Sequence, residues 1–331
     1  MRGSLPKLLV TGGAGFIGSV FVKRALKDGY KISVVDKLTY AGDLTRLKEV
    51  KGKFKFYRVD ICDKARIGKI FTNEKPGAVI HFAAESHVDR SILDSALFIE
   101  TNIGGTDVLL NAAKKNRTGR FIHISTDEVY GDLENGAFHE GSPLKPSSPY
   151  AASKAAADLL VKSYVRTFNF PAIIVRPSNN YGPGQYPEKL IPLSILKIMQ
   201  NRKIPVYAKG KNVREWLFAG DTADAILKVL NKGRTGEVYN LGSGHELENI
   251  QVVRALLKIL GAREDLIQFV KDRPGHDIRY KLDSSKIKRE TGWRPKVSFE
   301  QGLKMTVEWC LFNKKWLFGK WKNIAPLYKN R

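Results

Sequence analysis

Short apolar runs alternate with longer amphipathic stretches through the first half of the chain. Residues 7–10, 31–35, 54–59, 79–83 and 121–124 are brief, apolar and rich in β-branched or aromatic residues, the signature of buried strands. Between them, helical periodicity covers residues 16–26, a long stretch from about 92 to 115, and a segment opening at Pro149. Strand and helix in regular alternation predict an α/β fold with a parallel, doubly wound sheet. After residue 176 the pattern loosens. Residues 176–185 concentrate Pro, Gly and Asn and read as a loop, and short helices and strand-like pieces follow. Two segments, 219–230 and 237–241, are expected to return to the sheet. The expected domains are 1–177, and 178–331 as a mainly separate, smaller C-terminal α/β lobe, with returning segments near 219–241.

The first strand runs into Thr11-Gly12-Gly13-Ala14-Gly15-Phe16-Ile17-Gly18, and a helical pattern starts at once. Strand, glycine turn and helix are the context of a pyrophosphate site. Small residues let the backbone approach the phosphates, while the helix N-terminus supplies N–H groups and its dipole. The next strand ends in Asp36, about 20 residues past the glycines, where a carboxylate binds a ribose 2′-hydroxyl. That carboxylate would repel a 2′-phosphate, which favours NAD over NADP in a Rossmann-type domain. Asp60-Ile61, at the end of the third strand, are placed to meet the adenine.

With 331 residues and 43% hydrophobic content, the chain is long enough for two cores or one large core with a smaller lobe. It has no apolar run of the ~20 residues that span a bilayer. The N-terminus has no signal-peptide pattern. Cys62 and Cys310 match no disulfide or metal spacing, as in a protein of the reducing cytoplasm. The net charge of +23 raises nucleic acid, membrane headgroups and anionic small molecules as partners. The charge is spread along the sequence with no block of five, so neither nucleic acid nor membrane is expected. Residues 313–331 mix Lys with Trp316, Trp321 and Tyr328 and are read as an amphipathic helix and tail packed on the body.

Candidate chemistry gathers where the fifth strand ends, at Ser125-Thr126-Asp127-Glu128-Val129-Tyr130-Gly131. Two adjacent carboxylates there are either a solvated loop edge or an acid/base pair. Tyr150 and Lys154, four apart, share one face of the helix that opens at Pro149. A phenol is a poor base at neutral pH unless a neighbouring cation favours the phenolate. His81 and His123 lie inside apolar strands and are read as core residues, and no metal site is expected. Arg214, Arg273 and Arg279 are candidates to clamp an anionic diphosphate.

These residues together resemble the extended short-chain dehydrogenase/reductase family and, within it, the dTDP-glucose 4,6-dehydratases. The likeness rests on residues 11–19, 36–42, 83–92 (AAESHVDRSI), 125–132 (STDEVYGD), 148–155 (SPYAASKA), 178–183 (SNNYGP), 187–192 (PEKLIP) and 272–280. It implies a redox-neutral conversion of dTDP-glucose to dTDP-4-keto-6-deoxyglucose and water on tightly bound NAD, in deoxysugar biosynthesis of the rhamnose type. Tyr150, supported by Lys154, would take the 4-hydroxyl proton as the C4 hydride leaves. Glu128 would abstract the C5 proton, Asp127 would protonate the departing C6 hydroxyl, and Thr126 would bond the 4-oxygen. That division needs Asp127 protonated and Glu128 ionised. Gly12, Gly15, Phe16, Ile17, Gly18, Asp36, Lys37, Leu38, Thr39, Asp60, Ile61, Ala83, Ala84, Thr101, Tyr150, Lys154 and Asn180 would meet NAD. Ser86, Thr126, Asn179, Lys189, Leu190, Pro205, Val206, Tyr207, Arg214, Asn249, Arg273 and His276 would line the nucleotide-sugar site. A homodimer built on a helix bundle, from the stretch after Ile92 and the Tyr150 helix, is implied as well. The rival readings are a UDP- or GDP-sugar dehydratase, a nucleotide-sugar 4-epimerase or decarboxylase, and, more remotely, a non-catalytic nucleic-acid or regulatory binding protein on the same fold.

Overall fold

The computed structural model describes residues 5–325. The predicted tail beyond, with Tyr328, lies outside the described residues. Seven parallel strands form the main sheet: β1 (Leu8–Thr11), β2 (Ile32–Val35), β3 (Lys55–Tyr57), β4 (Ala78–His81), β5 (Arg120–Ile124), β6 (Ala172–Pro177) and β10 (Val238–Leu241). Their order is β10-β6-β5-β4-β1-β2-β3. Both faces of such a sheet are covered, which is why its strands are continuously apolar rather than alternating. On one face α1 (Phe16–Lys27) and α8 (Ala219–Lys232) bury Phe21, Val22, Ile226 and Leu230. On the other, α2 (Lys64–Glu74), α5 (Gly105–Lys115) and α6 (Pro149–Phe168) bury Ile67, Phe71, Leu109 and Val161.

The parallel register aligns the strand ends. Thr11 pairs with Val35 and His81, His81 with His123, and Ile124 with Val175. The residues just beyond therefore leave the sheet along one edge, where ligands of doubly wound sheets bind.

After β6 the chain builds smaller sheets. One has the order β11 (Glu246–Glu248), β9 (Val213–Phe218), β7 (Asn179–Tyr181), and the other pairs β12 (Ile267–Val270) with β8 (Ile204–Tyr207). They pack with α7 (Leu190–Met199), α9 (Asn249–Leu260), α11 (Phe299–Phe312) and α12 (Lys314–Ile324) around Ile191, Leu196, Trp216, Val252, Leu303 and Leu317. A short α10 (Ser285–Thr291) packs on α8 and β10. Segments 219–230 and 237–241 do return to the main sheet, as α8 and β10.

The stretch from 92 to 115 is not one helix. It divides into α3 (Val88–Leu93), α4 (Ala96–Phe98), a π-helical segment at Ile99–Gly104, and α5. Asp94 is extended, and its side chain accepts from the Ala96 N–H at 2.9 Å, starting the helix afresh. The π segment turns Asn102 inward. Its amide nitrogen donates to the Ser153 hydroxyl (2.8 Å) and the Glu85 carbonyl (3.0 Å), while its oxygen accepts from the Glu85 N–H (2.8 Å). The loop after β4 is thereby fastened to α6.

Candidate active site

A cleft of about 580 Å³ lies over the strand ends and is closed on the far side by the smaller sheets. All the cofactor, substrate and catalytic residues that the family resemblance implies line it except Leu38. Leu38 takes a left-handed backbone (φ 57°), and its N–H donates to the Asp36 carboxylate at 2.8 Å. It shapes the Asp36 loop rather than facing the cleft. Arg279 is also absent from the lining: its guanidinium donates to Glu246 (2.6 Å) and the Gly136 carbonyl (3.1 Å). Arg214 and Arg273 do line the cleft.

At one end the glycine turn closes on itself. A Cβ at Gly12 would sit 2.5 Å from the Ala83 nitrogen, and one at Gly18 would sit 2.2 Å from the Gly12 carbonyl oxygen. No side chain caps the start of α1, so its first N–H groups face the cleft at Phe16, Ile17 and Gly18. Asp36 accepts from the Ala14 N–H (2.9 Å) as well as from Leu38, which fixes its carboxylate at the end of β2. Burial pushes this carboxyl up while those two N–H bonds pull it down. A dinucleotide fits here: donors stand at the helix start for its pyrophosphate, and an immobilised acceptor for a ribose diol.

The catalytic candidates meet mid-cleft. Thr126 lies two residues beyond β5 and caps a short 3₁₀ turn, its hydroxyl accepting from the Glu128 N–H at 3.2 Å. Its hydroxyl also lies 3.2 Å from one Asp127 carboxyl oxygen, and the other Asp127 oxygen is buried with no hydrogen-bond partner among the described residues. Burial first, then the charges of Glu128 and Glu215, hold the Asp127 carboxyl well above its usual range. Burial raises Glu128 also, but the cations of Arg273, Lys189 and Arg214 oppose it. Glu128 is half-buried, whereas Asp127 is 3% exposed. Both adjacent carboxyls are thus raised, Asp127 the more strongly, with carboxylates as the next influence after burial on Asp127 and cations on Glu128.

Ser148 caps α6 by accepting from the Ala151 N–H, and Pro149 follows at the first helical position. The Ser91 hydroxyl accepts from the Tyr150 N–H at 3.1 Å. The Lys154 ammonium donates to the Ile124 carbonyl at 2.7 Å, tying the helix to the strand end next to Thr126. Burial lowers Lys154 to about 8. Burial and then Glu128 raise the Tyr150 phenol, while a hydrogen bond with Thr126 lowers it. His81 and His123 are buried core residues. The His81 ring nitrogens lie 2.8 Å from Thr11 and 3.0 Å from Thr106, and burial pulls the ring down to about 3.

Sequence reasoning missed Asp89, Glu215 and Arg46. Asp89 is buried and accepts from Arg273 at 3.0 Å. Glu215, fully buried, accepts from the Leu282 N–H (3.0 Å) and the Gly244 N–H (2.5 Å). A carboxylate inside the apolar β9 was a readable signal, since buried charge needs partners. Nothing in the sequence separates Arg46 from the many surface cations.

A family model described as GDP-mannose 4,6 dehydratase matches residues 9–306. The chain belongs to that family. Among relatives of this dehydratase chain, the dTDP-glucose 4,6-dehydratase of Streptomyces niveus is 48% identical, over 94% of each chain. That of Neisseria meningitidis serogroup B is 48% identical over 96% of each. The solved dTDP-glucose 4,6-dehydratase DesIV of Streptomyces venezuelae, with NAD and dTDP bound, superposes with a TM-score of 0.91. It is 47% identical and matches over 94% of this dehydratase and 98% of DesIV.

Proposed function

We infer that the protein is an NAD-dependent dTDP-glucose 4,6-dehydratase, a hydro-lyase that converts dTDP-glucose to dTDP-4-keto-6-deoxyglucose and water. The observation that carries the reading is the pair Asp127–Glu128, differently buried, in one cleft with Thr126, Tyr150 and Lys154. NAD would be held by the glycine turn, the α1 start, Asp36, Asp60 and Thr101. When bound it accepts the C4 hydride and returns it at C6, which makes the reaction redox-neutral.

The chain's own residues supply the proton transfers and the binding. Tyr150 takes the 4-hydroxyl proton, with Thr126 bonding the same oxygen and the Lys154 charge favouring the phenolate. Once C4 is a ketone, the neighbouring C5–H is acidic, and Glu128 removes that proton. Asp127, kept protonated by burial, hands its proton to the C6 hydroxyl, which leaves as water. Glu128 then returns its proton to C5. The outer cleft carries Lys189, Arg214, Arg273, Lys197 and Lys203, a cationic wall suited to a nucleoside diphosphate. Lys189 also donates to the Ser86 carbonyl at 3.2 Å, joining this wall to the loop after β4.

The divided architecture supports the domain reading: residues 1–177, with α8 and β10, hold the cofactor, and the remainder holds the nucleotide sugar. The second copy in a homodimer covers the outer faces of α3–α6, where Leu93, Ile99 and Leu159 are exposed. Cys62 and Cys310 are unpaired thiols, consistent with the cytoplasm.

The test is incubation of the purified protein with dTDP-glucose or UDP-glucose without added NAD, followed by the alkaline absorbance of 4-keto-6-deoxy product. We expect product from dTDP-glucose. No product from either would overturn the reading, and product from UDP-glucose alone would reassign the substrate.

A further inference from the structure

Arg46 lies in a 3₁₀ helix, Leu44–Val50, that follows the Asp36 loop. It is only 8% exposed and lines the cleft. Its guanidinium donates to three backbone carbonyls from separate loops: Ala14 at 3.0 Å, Ala41 at 2.7 Å and Gly184 at 2.9 Å. Ala14 belongs to the glycine turn, Ala41 to the loop after Asp36, and Gly184 to the loop that leads to Lys189. Those three bonds use Nε and Nη1; the remaining nitrogen, Nη2, is buried and has no hydrogen-bond partner among the described residues. One side chain thus joins the loops around the dinucleotide end of the cleft to the loop entering the nucleotide-sugar wall.

Arg46 is held in turn by the C-terminal helix. Asp43, 8% exposed, caps the 3₁₀ helix by accepting from the Thr45 N–H (2.9 Å), and its own N–H donates to the Ala14 carbonyl (2.9 Å). From α12, the Trp316 indole donates to Asp43 at 2.7 Å and the Lys320 ammonium lies 2.8 Å from it. The Trp316 ring stands 5.2 Å from the Arg46 guanidinium carbon. Burial alone would raise the Asp43 carboxyl, yet the bonds from Lys320, Thr45 and Trp316 bring it down to about 2. The carboxylate is therefore charged, and engaged with α12, throughout the neutral range. Trp316 and Lys320 lie more than 250 residues from Asp43 in sequence, so this contact exists only in the complete fold.

We propose that Asp43, Arg46, Trp316 and Lys320 form a latch by which the C-terminal helix holds the dinucleotide-binding loops closed and slows release of the cofactor. It rests on the NAD-dependent reading above and adds a control on cofactor retention. A cofactor recycled within each turnover has no catalytic need to leave, so slow release costs the enzyme nothing. Opening the dinucleotide end requires the Ala14 and Ala41 carbonyls to part from Arg46, and the α12 contacts hold Arg46 in place.

The test is the exchange of protein-bound dinucleotide with isotope-labelled NAD in the purified holoenzyme, for wild type, Lys320→Met, Trp316→Leu and Lys320→Arg. We expect Lys320→Met and Trp316→Leu to speed exchange on the order of tenfold, as loss of a hydrogen bond to a charged group implies. Lys320→Arg, which keeps the charge and donor, is expected to remain slow. Melting temperature is followed in parallel, because a merely structural role would lower it without changing exchange. Lys320 is 23% exposed, so Lys320→Met provides the measurement should Trp316→Leu not fold. Exchange at the wild-type rate in Lys320→Met would overturn the latch and leave the cofactor reading standing. A wild-type protein that binds no dinucleotide would overturn both.

Discussion

Asp127 and Glu128 are neighbours in sequence and opposites in surroundings. Asp127 faces the interior, one oxygen beside Thr126 and the other without a partner among the described residues. Glu128 stands half-buried among the charges of Arg273, Lys189 and Arg214. If Asp127 is the acid for C6, Asp127→Asn leaves C4 oxidation intact and blocks loss of water. We expect turnover to fall about 10²-fold or more, the usual worth of a positioned acid. Reduced nicotinamide should accumulate on the protein, visible by its near-ultraviolet absorbance. Normal turnover in Asp127→Asn would remove the assignment. Lys154 gives a second expectation. A lysine lowered to about 8 loses its charge as pH rises through that value, and with it the support for the Tyr150 phenolate. Therefore kcat/KM should fall above about pH 8. Lys154→Arg, charged at every accessible pH, should move that alkaline limb upward at a lower overall rate. An alkaline limb unmoved in Lys154→Arg would mean that another group titrates there.

At the scale of elements, the strands were legible because a sheet covered on both faces needs unbroken apolar runs, and residues 121–124 fall within β5 at Arg120–Ile124. The same runs blur the ends: residues 54–59 shrink to Lys55–Tyr57, where Val59 is buried without being in the strand. Helical periodicity through 92–115 hid a break, because Asp94 and Ser95 interrupt the helix by a local side-chain bond that leaves the spacing intact. The glycine turn was readable since Gly12 and Gly18 have no room for a Cβ, a constraint written directly in residue type. Arginine carries no such mark. Arg214 lines the cleft with its guanidinium 4.3 Å from the Tyr280 ring, while Arg279 turns away to Glu246. Which of the two meets a ligand is decided by tertiary partners, and so is the place of Arg46 under α12.

For the whole molecule, the outer surface of α3–α6 carries one group of exposed apolar side chains, and the end of α11, with Phe312, carries another. Leu93 is 78% exposed, Ile99 54% and Leu159 58%, on elements that pack against one another through α6. Along α6, Ala152, Leu159 and Ser163 follow a helical stripe that stays exposed, while Tyr150, Lys154 and Asp158 point inward. Small and apolar residues on that stripe let a second α6 approach closely, and each large apolar side chain covered contributes roughly 1.5–3 kcal/mol. The +23 charge of each chain opposes association at low ionic strength, so added salt should strengthen the dimer through screening. We expect light scattering at physiological salt to give twice the 37.1 kDa chain mass. The double variant Leu93→Glu/Leu159→Glu should give the single-chain mass, because it places charge where the partner's apolar surface would lie. The catalytic cleft opens at the strand ends and not on this face, so the monomeric variant tests the interface apart from the chemistry. A double variant that keeps the doubled mass would show that the second copy docks elsewhere on the molecule.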